Sequence, residues 1–299
     1  MEDKFIDWNP TQRSLDLIDT INDILDDYRS QGYILTLRQL YYQLVAGDFI
    51  PNSQSEYKKI GSVVNKGRLA GMIDWSMIED RVRKPESNTH WKSPRQILDA
   101  AVKNYYENRW LTQEHFVEVW CEKDAVSNII QPVCSKWDVT FMANRGYSSQ
   151  SALYEASQRF TAAHFEGHVL HLIYLGDHDP SGMDMTRDVS DRMATFLDWR
   201  DGIAEEHIPV TMERIALNMD QVQQYNPPEN PAKQTDSRFE GYADLYGTKS
   251  WELDALQPSV LEALVEDAVT DHIDMAAWDQ AVDLEVASRE KLKEIAEGV

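Results

Sequence analysis

The sequence predicts an α/β fold in two parts, a helical N-terminal domain over residues 1–110 and a mostly parallel sheet wrapped by helices over residues 111–299. Three observations carry this. Up to about residue 110, apolar residues recur at helical spacing, as in Ile18, Ile21, Ile24 and Leu25. From Phe116 onward, short apolar runs alternate with amphipathic stretches, the pattern of strands joined by crossover helices. With 299 residues, 42% of them hydrophobic and nine of them Trp, the chain has the apolar mass for two cores.

The elements follow in order. Residues 11–30 make the first helix. Thr36 is placed to N-cap a second helix that runs to Ala46 and stops at Gly47. After a loop at Pro51 and Asn52, a third helix runs from about Ser55 to Ala70, closed by Gly71. Ile73-Asp74-Trp75 and the basic stretch through Arg81, Arg83 and Lys84 read as a short strand and wing. Helix, turn, helix and basic wing predict a winged-helix DNA-binding module; a helical packing unit of another kind fits the same pattern. Ser93-Pro94 opens a linking helix to about Asn108. Strands are then expected over 116–120, 139–142, 168–175 and 208–216, with helices over 124–137, 149–163 and 181–199. Residues 226–247, rich in Pro, Asn and Gly, read as a long functional loop. Helices over 258–273 and 275–297 complete the pattern.

The net charge of −22 counts against indiscriminate nucleic-acid binding, but it is unevenly spread. Residues 36–115 hold 12 basic and 9 acidic side chains, whereas residues 116–259 hold 11 and 23. Lys58, Lys59, Lys66 and Arg68 cluster in that positive segment, and such a module can hold DNA at one face of an acidic body. A solvated helix face is the more frequent cause of such a cluster. The two cysteines, Cys121 and Cys134, belong to no CxxC or Cys/His group, which counts against structural zinc and a disulfide framework. The acidic start Met-Glu-Asp-Lys-Phe has no apolar stretch, and no apolar run reaches membrane-spanning length. A soluble, cytoplasmic protein is therefore expected.

The most informative stretch runs from Leu170 to Gly182. It reads as an apolar strand ending at Asp177 and Asp179, with Pro and Gly straight after. Alternation in an extended segment turns both carboxylates one way and His178 the other. Ligands bind at the C-terminal edge of α/β sheets, and two parallel carboxylates suit a hard, hydrated cation such as Mg²⁺. An Asx-type turn closing a buried strand explains the same residues. Glu122 follows the first strand and Asn144-Arg145-Gly146-Tyr147 the second. If the strands are neighbours, Glu122, Asp177 and Asp179 converge, and like charges that close need a cation. Glu252 and Asp254 are further ligand candidates, or parts of a capped surface segment.

Glu122 at one strand end and Asp177-x-Asp179 at a later one resemble the Toprim domain of topoisomerases, primases and related nucleases. Upstream, Leu37-Arg38-Gln39-Leu40-Tyr41-Tyr42 resembles the Arg-x-x-Tyr/Phe-Tyr motif of the topoisomerase VI A subunit and the meiotic double-strand-break transesterases. Arg145-Gly146-Tyr147 is similar to a Gly-Tyr loop of that family, and Trp251-Glu252-Leu253-Asp254-Ala255-Leu256 to a late stretch of it. The resemblance runs in order over about residues 36–260, in a chain shorter than a typical A subunit. It implies a reduced, stand-alone member, with a winged helix followed by a Rossmann-like Toprim domain.

The resemblance also implies roles. Tyr42 becomes the nucleophile on a DNA phosphodiester, leaving a 5′-phosphotyrosyl link and a free 3′-OH. Glu122, Asp177 and Asp179 hold Mg²⁺, with Mn²⁺ as a substitute, and Arg38 stabilises the phosphate one helical turn from Tyr42. Arg145 and the basic cluster contact DNA. A homodimer sets each tyrosine beside the other subunit's metal, and an ATPase B-type subunit or other accessory protein is a partner. A phenol with pKa near 10 needs a base, a cation or a metal to attack at neutral pH. Two other readings stand beside this one: a Toprim nuclease in which water attacks, and a non-catalytic winged-helix DNA-binding or assembly protein.

Overall fold

The computed structural model describes residues 4–79, 90–198 and 208–297. Helix α1 (Gln12–Ser30) starts where the Thr11 side chain accepts the Ser14 amide. Helix α2 (Leu37–Ala46) starts at a full capping box: the Thr36 hydroxyl accepts the Gln39 amide, and the Gln39 side chain accepts the Thr36 amide. Helix α3 (Gln54–Leu69) is capped by Ser53. The three helices bury Ile21, Leu40, Leu44, Ile60 and Val64 together, a core of their own. A two-residue parallel pair, β1 (Leu35–Thr36) and β2 (Ile78–Glu79), borders it. Residues 73–75, expected as a strand, are instead a turn leading into a 3-10 turn over Trp75–Met77, because the Asp74 carboxylate accepts the Ser76 amide and caps it. Arg81, Arg83 and Lys84, the expected wing, lie outside the described residues. Helix α4 (Pro94–Lys103) ends short of Asn108, with Asn104 at its C-cap donating its side-chain amide to the Ala100 carbonyl (2.7 Å).

The second unit is built on a parallel sheet of β3 (His115–Cys121), β4 (Thr140–Ala143), β5 (Val169–Leu175) and β6 (Val210–Ala216), in the order β4-β3-β5-β6. Parallel neighbours need crossovers, which α5 (Ser127–Lys136), α6 (Gln150–Phe165) and α7 (Pro180–Asp198) provide. One face, with Val117, Val119, Ile173 and Leu175, packs on α5 and on α10 (Pro258–Thr270). The other, with Trp120, Leu172 and Tyr174, packs on α6 and α7. From β3 the chain turns to one side of the sheet, and from β5 to the other. The crevice at their C-terminal ends is thus the switch point at which such sheets hold ligands.

The segment expected as one long loop is partly ordered into elements. After α8 (Met219–Tyr225), residues 226–247 contain β7 (Asn230–Pro231) and α9 (Phe239–Tyr246), and β7 pairs with β8 (Lys249–Ser250). No helix among the described residues is long and apolar enough to cross a membrane.

A buried carboxylate helps to fasten the closing helix α11 (Met275–Glu297). Glu285, 2% exposed, accepts from Arg109 through both oxygens (3.0 and 3.2 Å) and from the Glu107 amide (3.2 Å), with Arg289 2.8 Å away. Burial works against its charge, but these donors outweigh burial and hold its carboxyl below the usual range. Such a group stabilises the fold above the unfolded-chain value of about 4.3, and that contribution is lost as pH falls through the lowered folded value. Glu285→Gln is expected to cost about 2 kcal/mol at neutral pH in urea denaturation, because both arginines keep some access to water. It should also flatten the loss of stability below about pH 4. Equal acid sensitivity in the two proteins would remove Glu285 from this linkage.

Candidate acidic site at the sheet edge

β3 and β5 stay in register to their last residues, with Cys121 beside Leu175, so Glu122 and Asp177 flank the crevice. The Glu122 amide donates to the Leu175 carbonyl (2.8 Å), and Glu122 Oε2 accepts the Asp177 amide (2.9 Å). Asp177, 5% exposed, accepts the Leu253 amide on Oδ1 (2.8 Å) and faces Lys123 Nζ with Oδ2 (2.7 Å). Asp179 serves the helix that follows: its Oδ1 accepts the Gly182 amide (2.6 Å) in the first turn of α7. His178 points away from both, as alternation requires, into a box of Tyr242, Tyr246 and Trp251. Burial lowers its pKa to about 4, so the ring is neutral. His178 and Trp251 exchange two backbone hydrogen bonds (2.8 and 2.9 Å), and that bridge lays residues 251–255 against Asp177.

The carboxylates that close on one another are therefore Asp177, Glu252 and Asp254, whose oxygens lie within 4.8 Å. Glu122 and Asp179 sit beside this group rather than in it. The Lys123 ammonium stands among the three, 2.7 Å from Asp177, 3.2 Å from Asp254 and bonded to Glu252. Arg38 reaches in from α2, with Nη2 2.6 Å from Glu252 and Nε 3.0 Å from Asp254. Burial pushes the Asp177 carboxyl well above the usual range, opposed by Lys123 and reinforced by its acidic neighbours. Glu252 goes the other way: burial is outweighed by Lys123 and Arg38, which hold its carboxyl down. The donors are hard oxygens of the kind Mg²⁺ takes, and Asp254 Oδ2 is buried without a well-aligned hydrogen bond. The group fits such a cation on the condition that the Lys123 ammonium moves aside.

Two further residues shape the turn after β5: Gly182, which closes the motif read from the sequence, and Arg214, which no sequence pattern marked. Arg214, on β6, donates from Nη2 to the carbonyls of Gly176 (2.9 Å) and Asp177 (2.6 Å) and from Nη1 to the Thr186 hydroxyl. Gly182 allows α7 to start against the strand end. A Cβ there would lie 2.3 Å from the Asp177 carbonyl oxygen and 3.0 Å from Glu122 Oε2.

α2 carries Arg38 and Tyr42 one turn apart, with the guanidinium carbon 5.9 Å from the Tyr42 ring centroid. Tyr42 is 4% exposed and lines a cavity of about 360 Å³ together with Arg38, Asn52, Tyr57, Asn230 and Glu252. Burial first, then Glu252 and Asp254, push its pKa up to about 12, against Arg38 and Asn230. Tyr41 is structural: its hydroxyl accepts the Ser53 amide (2.8 Å) and donates to Asn52 Oδ1 (2.9 Å). Of the basic residues, Lys58 and Lys66 are exposed on α3, with Lys66 over the Trp8 ring, while Lys59 pairs with Glu56 (3.1 Å). Arg68 is engaged with the Trp75 and Ile78 carbonyls and stacks on Trp75, so it braces the turn rather than facing outward. Arg145 is exposed at the same sheet edge as Glu122, 3.4 Å from Asp124.

No known family model matches this chain, and no curated protein matches it.

Gly182→Ala is expected to destabilise the protein by about 1–3 kcal/mol, since backbone atoms are the obstacle. Lys123→Met leaves three carboxylates with Arg38 as the remaining cation among them, and is expected to cost about 3–5 kcal/mol. Chemical denaturation measures both, and a Lys123→Met protein as stable as the parent would mean the ammonium is not what holds the group together.

Proposed function

We propose that this protein is a divalent-cation-dependent DNA-cleaving enzyme of the tyrosine transesterase kind, a winged helix joined to a Toprim domain and akin to a reduced topoisomerase VI A subunit. The observation that carries the reading is Arg38. One guanidinium pairs with Glu252 and Asp254 at the sheet edge and lies beside the ring of Tyr42. A parallel sheet with carboxylates at its switch point, following a three-helix unit, supports the same reading.

Asp177, Glu252 and Asp254 would hold Mg²⁺ or Mn²⁺, with Glu122 and Asp179 alongside. Bound there, the cation supplies charge neutralisation and orientation for the displacement. The remaining work belongs to the chain. The Tyr42 phenol keeps its proton at neutral pH, since its pKa lies near 12, so attack requires that proton to leave; Arg38 favours the phenolate and then faces the phosphate. The Tyr42 oxygen forms the bond to phosphorus and the bond to the 3′ oxygen breaks, the latter taking up a proton as the free 3′-OH. Of the basic residues singled out from the sequence, Lys58, Lys66 and Arg145 are exposed and would meet DNA phosphates. A homodimer would pair two such sites across a duplex, and an ATPase B-type subunit would couple the cut to strand movement. Here Tyr42 shares its cavity with Glu252 of its own chain, so one copy brings the two halves together.

The burial of Tyr42 at 4% exposure favours a second reading, a metal-dependent nuclease in which water attacks and Tyr42 is core. Incubating plasmid with the protein and Mg²⁺ or Mn²⁺, then denaturing with and without protease, separates the two. Protein-linked 5′ ends that vanish in Tyr42→Phe are the expected result. Free ends that persist in Tyr42→Phe and vanish in Asp254→Asn would establish the nuclease. DNA binding without cleavage leaves a non-catalytic protein. Mg²⁺ is also expected to raise the Tm of Lys123→Met more than that of the parent, because the ammonium no longer competes; equal shifts would place the cation elsewhere.

A further inference from the structure

Away from the acidic edge, on the sheet face covered by α5 and α10, three imidazoles meet. His115 opens β3, His171 is the third residue of β5, and His272 follows α10. One nitrogen from each ring lies within 4.8 Å of the other two. His115 Nδ1 and His171 Nε2 are 3.0 Å apart, and the ring centroids are separated by 3.9 to 5.2 Å. His171 Nδ1 lies 3.1 Å from Glu213 Oε1 on β6, and the same oxygen is 3.4 Å from His272 Nε2. None of these four residues belongs to the acidic group or to the Tyr42 cavity.

We infer that His115, His171 and His272 form a zinc site, with Glu213 orienting His171 by accepting its Nδ1–H. Nitrogen ligands at about 2.0–2.1 Å from a tetrahedral zinc stand about 3.3 Å from one another. The His115–His171 pair is already near that spacing, and turning the His272 ring completes the triangle. A carboxylate behind a ligating imidazole fixes the tautomer that presents Nε2 to the metal, the arrangement Glu213 makes. Imidazole donors select zinc and its neighbours over Mg²⁺, so this site and the acidic group differ in the cation they take. His171 is 8% exposed whereas the Glu213 side chain is 36% exposed. The cluster thus has a buried floor and a wet side, where water can take the fourth position. The competing account is a metal-free stack, in which facing nitrogens share protons and only tie the strands together.

Co²⁺ is the probe, titrated into the full chain and read in the visible spectrum. One equivalent with the intense absorption of a tetrahedral site is expected, displaced by Zn²⁺ and retained in Asp254→Asn. His272→Ala and His115→Ala should each abolish that absorption, while Glu213→Gln should weaken binding by about 10–100-fold. Circular dichroism of each variant in EDTA verifies that it is folded, and the graded Glu213→Gln response serves as an independent check. Absence of tetrahedral absorption, its persistence in both histidine variants, or its loss in Asp254→Asn would overturn the assignment.

Discussion

Three carboxylates share one buried corner of this protein, and the Lys123 ammonium is what lets them do so. Two like charges about 4 Å apart repel by about 4 kcal/mol at an effective dielectric of 20, a large part of the stability of an ordinary domain. Lys123 answers all three at once, and in doing so ties the end of β3 to the end of β5 and to the turn at residues 252–254. Arg38 adds a second cation from α2. The sheet edge, the late turn and the N-terminal helices therefore meet at one electrostatic point.

Much of the joint between the two units is polar. Among the described residues, Ala255 is the one buried apolar residue from beyond β3 in the core of the N-terminal helices. Elsewhere Asn52 donates to Asn230 (2.7 Å) and to the Glu229 carbonyl (2.9 Å), Asn128 donates to the Ile34 carbonyl (2.7 Å), and Tyr33 bonds Glu262. Joints of this kind resemble transient protein interfaces more than domain cores. The position of Tyr42 relative to the acidic group is accordingly governed by ion pairs and hydrogen bonds, which respond to salt and to bound cations more than apolar packing does.

What sequence reasoning could find follows from the physics of each feature. β5 was legible because burial on both faces makes it a near-continuous apolar run, and α2 because Thr36 caps it locally. His178 facing away from Asp177 followed from strand alternation alone. Asp179 was harder: a carboxylate that caps the next helix and one that holds a cation look the same in sequence. Lys123 and Arg214 act across strands, on partners whose proximity depends on sheet order. The helix α9 was hidden by flanking Pro and Gly. The three histidines stand on separate elements, so no spacing rule for metal ligands applies to them.

The bridge between His178 and Trp251 has a consequence for the order of events as the chain is made. Synthesis proceeds from the N-terminus, and domains tend to fold in that direction. Arg38, Tyr42 and the three helices around them can pack as soon as they emerge, whereas Glu252 and Asp254 arrive more than two hundred residues later. The strand end at Asp177 likewise waits for Leu253 before its carboxylate is satisfied. Contacts so distant in sequence form late, because loop closure must precede them. The charged corner is thus a late assembly, and a nascent polypeptide carries its tyrosine through about two hundred residues of synthesis without the acids that stand beside it.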